Sequence, residues 1–261
     1  MNATLRISLV QAATRWEDPA ANHADIDQLT ANLAGETDLV VLPEMFATGF
    51  SMQPERLAEP PLGPTVQWMQ QLAKRLDAAV VGSVITVDAG KHYNRLHWVQ
   101  PDGQVATYDK RHLFRMGGED RHYAAGQQAL VVDWRGVRIA PLVCYDLRFP
   151  VWSRRRDGQD YGVLLYIASW PAARRHAWRS LLIARAIENQ SFVGGGNRTG
   201  ADGNDVPHAG DSVVHDFLGE PLVELGSAAG IATTQLDLAA LAAFRTRFPA
   251  QLDADRFTLQ P

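Results

Sequence analysis

Three residues of complementary chemistry each stand where an apolar run ends. Glu44 closes DLVVLPE, Lys110 closes QVATYDK, and Cys144, the only cysteine in the chain, closes VRIAPLVC. A thiol, a carboxylate and an ammonium are the parts of a nucleophilic acyl transfer. The thiol attacks, the carboxylate moves its proton, and the cation offsets charge developing on the carbonyl oxygen. Tyr145, Asp146 and Arg148 follow the cysteine, and Pro150 opens a helix or turn just beyond. A strand-to-helix elbow of that kind exposes a side chain and aims backbone N–H groups at it, which favours a reactive thiol. Taken singly, each residue has a plainer reading: free cysteines are among the most buried and inert residue types, and a charge at a strand end is ordinarily solvated. Three such residues at separate strand exits could instead meet on one rim, where α/β enzymes commonly gather their chemistry.

The elements that must position them follow from periodicity. Residues 4–13, 38–44, 79–87, 92–100 and 104–110 read as strands, with turns at Asp88 to Gly90 and at Pro101 to Gly103. Ile26, Leu29 and Leu33 share one face of a helix over 21–34, and Val66, Met69, Leu72 and Leu76 do so over 63–78, which opens with Pro64. The polar, glycine-containing stretch 111–127 reads as a long loop, ordered or mobile. ALVVDW, VRIAPLVC and YGVLLYIAS are strands, 177–190 is a helix, four further strands follow, and AALAAFRTRF is a last helix. Strands separated by helices, with hairpins between, predict a layered α/β domain.

Composition narrows the function. At 261 residues and 46% hydrophobic, the chain can bury a large core, and no linker, repeat or low-complexity tract divides it, so one domain over 1–261 is expected. A formal charge of −4, with no basic block beyond Arg154-Arg155-Arg156, gives little attraction for nucleic acid. No apolar run approaches the roughly 20 residues of a membrane span, and the start carries no secretion pattern, so a soluble cytoplasmic protein is expected. A single cysteine supplies neither a disulfide nor a thiolate zinc cluster. His208, Asp211 and His215 lack the spacing of a metal site, and GGGN (194–197) lacks that of a dinucleotide fingerprint, reading instead as a close backbone approach. No cofactor and no metal are expected.

VVLPEMFATGF, YDKRHLF and LVCYDLRFP, in that order, resemble the three signature blocks of the nitrilase superfamily of carbon–nitrogen hydrolases. The similarity runs on through SWPAARRHAWRSLLIARAIENQSFVGGGNRTGADG and HAGDSVVHDFLGE, and its wording is most similar to the omega-amidases and their bacterial nitrilase-like relatives. The resemblance implies an α-β-β-α sandwich, pairing into at least a homodimer, and a thiol amidase. It implies Glu44 as general base, Lys110 as the cation for the tetrahedral intermediate, and Cys144 as nucleophile. A second glutamate of the loop after the lysine corresponds, by order, to Glu119, with Asp120 adjacent. Lys110 and the Tyr145 N–H would form the oxyanion hole, and Lys110 would lower the thiol's pKa. Arg148 offers a fork for a substrate carboxylate or, equally, for a structural ion pair with a nearby acid; Phe46, Trp170 and Tyr145 could wall the pocket or simply be core. The implied substrate is a small dicarboxylate monoamide such as 2-oxoglutaramate or 2-oxosuccinamate. A nitrilase or N-carbamoyl hydrolase would use the same groups, and a binding protein with an idle site is the alternative from another class.

Overall fold

The structure, a computed structural model, describes residues 4–156 and 158–259. In chain order the first strands are β1 (Thr4–Gln11), β2 (Leu39–Val41), β3 (Ala79–Asp88), β4 (Lys91–Val99), β5 (Val105–Asp109), β6 (Val132–Trp134) and β7 (Val137–Val143). The remainder are β8 (Val163–Ala168), β9 (Phe192–Asn197), β10 (Thr199–Ala201), β11 (Pro207–Ala209), β12 (Val213–His215), β13 (Pro221–Glu224) and β14 (Gly230–Asp237). The helices are α1 (Pro19–Leu29), α2 (Pro54–Leu57), α3 (Pro64–Leu76), α4 (Pro150–Ser153), α5 (Arg175–Asn189) and α6 (Leu238–Arg247).

Two six-stranded sheets, ordered β14-β1-β2-β3-β4-β5 and β13-β12-β9-β8-β7-β6, stack face to face. The period of two in a strand sends alternate residues to opposite faces. Leu5, Ile7 and Leu9 of β1, with Leu39, Val41, Ala79 and Val81, join the layer between the sheets, where Ile139, Leu165 and Ile167 meet them. Val10, Val40 and Val80 point the other way, onto Ile26 of α1 and Met69, Leu72 and Leu76 of α3. On the far side α5 covers the second sheet, completing the α-β-β-α sandwich. The glycine run explains how closely these layers approach. A Cβ at Gly194 would lie 2.9 Å from Leu165 Cδ2 and 3.4 Å from Ile7 Cδ1, while one at Gly195 would lie 2.5 Å from Leu182 Cδ1 of α5.

Local chemistry moves several predicted boundaries. The first helix runs 19–29 instead of 21–34: the Asp18 side chain accepts from Ala21 N–H, Pro19 follows, and the Thr30 hydroxyl turns back to Ile26 O. Leu33 therefore packs from outside the helix. The strand predicted over 38–44 pairs only over Leu39–Val41, because Pro43 has no N–H to donate. The strand read in DSVVHDF shrinks to β12, since Asp211 holds φ 56°. The hairpin β10–β11 is additional, and so is α2 as a single helical turn, while α4 is the short helix expected to open at Pro150.

Strand direction decides where the site forms. β1, β2 and β3 are parallel; β4 reverses and β5 reverses again, so β5 points the same way as β2. In the other sheet β7, β8 and β9 are parallel. Glu44 follows β2, Lys110 follows β5 and Cys144 follows β7.

Candidate active site

Each of the three residues is held by its own backbone device. Met45, next to Glu44, takes φ 46°, and its N–H donates to Ser83 Oγ at 2.8 Å, which turns the chain sharply after the strand. Lys110 N–H donates to Asn94 O at 3.0 Å, and Gly126 N–H donates to Lys110 O at 3.0 Å, bringing loop 111–127 back onto the strand end. A Cβ at Gly126 would collide with Asp109 O, so only glycine permits that return. Cys144 opens a 3-10 turn, Cys144–Arg148, with φ 46° after Val143 at φ −121°. A non-glycine residue in the left-handed region is strained and needs its surroundings to hold it.

The side chains converge. Lys110 Nζ donates to Glu44 Oε1 at 2.8 Å, and to Glu119 Oε2 and Oε1 at 2.8 and 3.1 Å. Asn94 Nδ2 donates to Glu44 Oε1 at 2.7 Å and to Glu119 Oε1 at 3.0 Å, binding both carboxylates into one network. Ser169 N–H, past the end of β8, donates to Glu44 Oε2 at 2.9 Å. Phe114 N–H donates to Glu119 Oε2 at 2.6 Å, so loop 111–127 is ordered around the glutamate it carries. Cys144 lies against the Glu44 carboxylate and the Ser169 N–H.

The electrostatics follow from burial. All three ionic side chains are fully removed from solvent, where an unpaired charge is costly. Burial works against the Lys110 ammonium, but Glu119, Glu44 and Cys144 outweigh it and raise its pKa, fixing the positive charge. Burial raises Glu119, opposed by Lys110 and reinforced by Glu44. Lys110 does pull the thiol's pKa down, as expected, but larger influences carry the net shift upward. Burial first and the Glu44 charge second push Cys144 well above the ordinary thiol value, and the opposing pull of Lys110 is smaller. Burial and the neighbouring Glu44 thus favour the protonated form of the Cys144 thiol.

A cavity of about 290 Å³ opens over this cluster, with Cys144, Glu44 and Lys110 among its lining residues. Tyr145, Arg148 and Trp170 also line it. Phe46 does not: it is 1% exposed, packed in the outer core against Leu42 and Gly82, and the pocket aromatics on that side are Phe50 and Phe114. The strand carrying Glu44 ends in a left-handed turn, so residues two positions apart need not share a face. Arg148 lies over Trp170 at 5.1 Å and Arg174 over Phe114 at 5.2 Å; neither guanidinium forms an ion pair among the described residues. Asp202, Asn204, Val206 and His208, from the unpredicted hairpin, complete the mouth. Asp211 is held by Arg175 at 2.6 Å and Arg179 at 3.3 Å. Among the described residues no group of three or more His, Cys, Asp or Glu could hold a metal ion.

Sequence reasoning missed Asn94, Ser169 and Arg174. Asn94 did carry a signal: it shares the inward face of β4 with Leu96 and Trp98, and an amide on an apolar face needs a buried partner.

Comparison with known proteins agrees with this geometry. Residues 6–246 match the carbon-nitrogen hydrolase family. The chain is 48% identical to "Omega-amidase YafV" of Yersinia enterocolitica over 98% of this chain and 99% of that one. It is 34% identical to "2-oxoglutaramate amidase" of Bacillus subtilis, over 93% of this chain and 95% of that one. The crystal structure of XC1258 from Xanthomonas campestris, a CN-hydrolase superfamily protein with an arsenic adduct in its active site, superposes with a TM-score of 0.96. That pair is 52% identical over 98% of this chain and 99% of that one. The sandwich, the buried Lys110–carboxylate cluster beside the lone thiol, and similarity over nearly the whole length agree: this chain belongs to the carbon–nitrogen hydrolase family, the nitrilase superfamily.

Proposed function

We propose that the chain is a thiol-dependent omega-amidase, releasing ammonia from the terminal amide of small dicarboxylate monoamides such as 2-oxoglutaramate and 2-oxosuccinamate. The observation that carries this reading is the Cys144 thiol beside Glu44 in a cavity whose lining also holds two guanidinium groups, on Arg148 and Arg174, that have no carboxylate partner among the described residues. Those arginines match the free carboxylate at the far end of such a substrate, and the names of the similar proteins point the same way.

In this mechanism Glu44 takes the Sγ proton as the thiol attacks the amide carbon, and the oxygen becomes an oxyanion between Lys110 Nζ and the Tyr145 N–H. Each such donor contributes on the order of 3 kcal/mol to the transition state. Glu44 then gives the proton to the departing nitrogen, releasing ammonia and leaving a thioester. It next draws a proton from water, whose oxygen attacks the thioester carbon; collapse frees the acid and returns the proton to sulfur. Glu119 holds Lys110 in place and shares its charge. The chemistry consumes only water, so no cofactor enters it. Trp170, Tyr145 and Phe114 would flank the substrate's carbon chain.

One hydrolase domain over 1–261, working in the cytoplasm as a homodimer, belongs to the same proposal. Ile183, Ile187, Leu218 and Phe248 are exposed apolar side chains, and Ile183 and Ile187 lie against the turn that holds Leu218. No helix among the described residues is long and apolar enough to cross a membrane. The test is ammonia release from 2-oxoglutaramate, glutamine, a simple nitrile and an N-carbamoyl amino acid, with wild type beside Cys144→Ala. Preferential turnover of the oxo-acid amide, lost in the variant, is expected. Turnover of the nitrile or the carbamoyl compound alone would replace the substrate assignment, and silence on all four from a folded protein would overturn it.

A further inference from the structure

Asp146 stands two residues after the thiol, is fully buried and does not line the cavity. Its Oδ2 accepts from Val143 N–H at 3.0 Å and from the Tyr108 hydroxyl at 2.8 Å. Its Oδ1 accepts from His112 N–H at 3.0 Å and lies 2.8 Å from His112 Nδ1. These partners fall into two groups. Val143 immediately precedes Cys144, whereas Tyr108 and His112 stand two residues on either side of Lys110. The Tyr108 oxygen also accepts from Arg111 N–H at 3.2 Å and from Trp152 Nε1 of α4 at 3.0 Å, which extends the same web. The thiol and the lysine belong to different sheets, and no strand ladder joins β5 to β7. One carboxylate therefore spans the two segments whose relative placement sets the distance from Cys144 to Lys110 and Glu44.

We propose that Asp146 is a positioning residue, which pins the cysteine elbow to the end of β5 and so aligns the thiol with the lysine–glutamate cluster. The strained φ 46° at Cys144 is what such a pin must over-determine. Reacting groups held wrongly by about 1 Å lose on the order of 100-fold in rate, so a support that touches no substrate still governs turnover. The kinetic part of this inference rests on the amidase reading above.

Asp146→Asn keeps the side-chain volume but replaces one acceptor oxygen with an NH2 group, which breaks the contacts on one side of the bridge. The expected result is a folded protein whose kcat on 2-oxoglutaramate falls on the order of 100-fold with KM within about 2-fold. Tyr108→Phe, removing one donor, should lower kcat about 10-fold, and the double variant should lose no more than Asp146→Asn alone, as residues acting as one unit do. A readout that needs no substrate runs alongside: the pH profile of Cys144 alkylation by iodoacetamide should shift toward that of an ordinary thiol in Asp146→Asn, as contact with Glu44 loosens. A folded Asp146→Asn with wild-type kcat and an unmoved profile overturns the proposal, and so does a loss confined to KM. Should Asp146→Asn not fold, Tyr108→Phe decides by the same criteria. Should wild type hydrolyse none of the amides, the amidase reading falls while the alkylation profile still decides the role of Asp146.

Discussion

Replacing Lys110 by Met tests the electrostatic reasoning most directly, because the change keeps the stem and deletes only the ammonium. Lys110, Glu44 and Glu119 all have side chains with 0% exposure, so no water takes over the hydrogen bonds that the lysine made. Removing one partner of a buried ion pair costs roughly 3–5 kcal/mol, and here two carboxylates lose their shared cation. Part of that is relieved if one of them takes up a proton. Glu119 is the candidate, since burial already raises its pKa and Lys110 is the group opposing the rise. We therefore expect a loss of about 3 kcal/mol at neutral to mildly alkaline pH, or roughly 6–12 °C in unfolding midpoint for a chain of this size.

The sign of the pH dependence follows. A carboxyl whose folded pKa lies above its unfolded value binds its proton more tightly when folded. Stability is then lost as pH rises from the ordinary value of 4.5 toward the folded one, and regained on acidification. The deficit of Lys110→Met relative to wild type should shrink between about pH 8 and about pH 5. Adding Glu119→Gln should recover at least about 1 kcal/mol, because it deletes one of the stranded charges. Thermal or urea unfolding of wild type, the single and the double variant at both pH values measures all of this. A Lys110→Met protein within about 1 kcal/mol of wild type at the higher pH, or a deficit that grows on acidification, would refute the reasoning.

Cys144→Ala should lower ammonia release by at least about 10⁴-fold without lowering the unfolding midpoint; residual turnover near wild type would remove the thiol from the chemistry. Arg148→Ala and Arg174→Ala should each raise KM for 2-oxoglutaramate roughly 10- to 100-fold while leaving an uncharged amide unaffected, and equal effects on both substrates would contradict carboxylate recognition. The alkylation of wild-type Cys144 should reach its midpoint at a pH above that of free cysteine, since burial and Glu44 disfavour the thiolate; a midpoint below it would mean that Lys110 dominates after all. Gly195→Ala should destabilise by about 1–3 kcal/mol, because its Cβ would meet Leu182 Cδ1 at 2.5 Å and Trp178 Cζ2 at 2.8 Å; an unchanged midpoint would show that α5 can move off the sheet.

Glu44, Lys110 and Cys144 were legible in the sequence because each breaks an apolar run with a reactive group, and local pattern alone marks such a break. Most helices and strands were legible for the same reason, since hydrophobic period is a property of neighbours along the chain. Glu119 could be placed by its order in the loop. What the sequence could not decide is anything that depends on contact between the two sheets. That Phe50 and Phe114, not Phe46, wall the cavity depends on the turn Met45 makes at φ 46°. That Asn94 ties two carboxylates to one lysine depends on β4 and β5 reversing together, which brings residues 44, 94, 110 and 119 to one edge. The net rise of the Cys144 pKa is likewise tertiary, because it sums burial and two opposite charges brought in from distant segments, and no local signal carries that balance. Sequence pointed to these three groups because their chemistry is intrinsic to the side chain; structure alone decided their supports and the direction in which burial and neighbouring charge push the thiol, because those depend on what surrounds them.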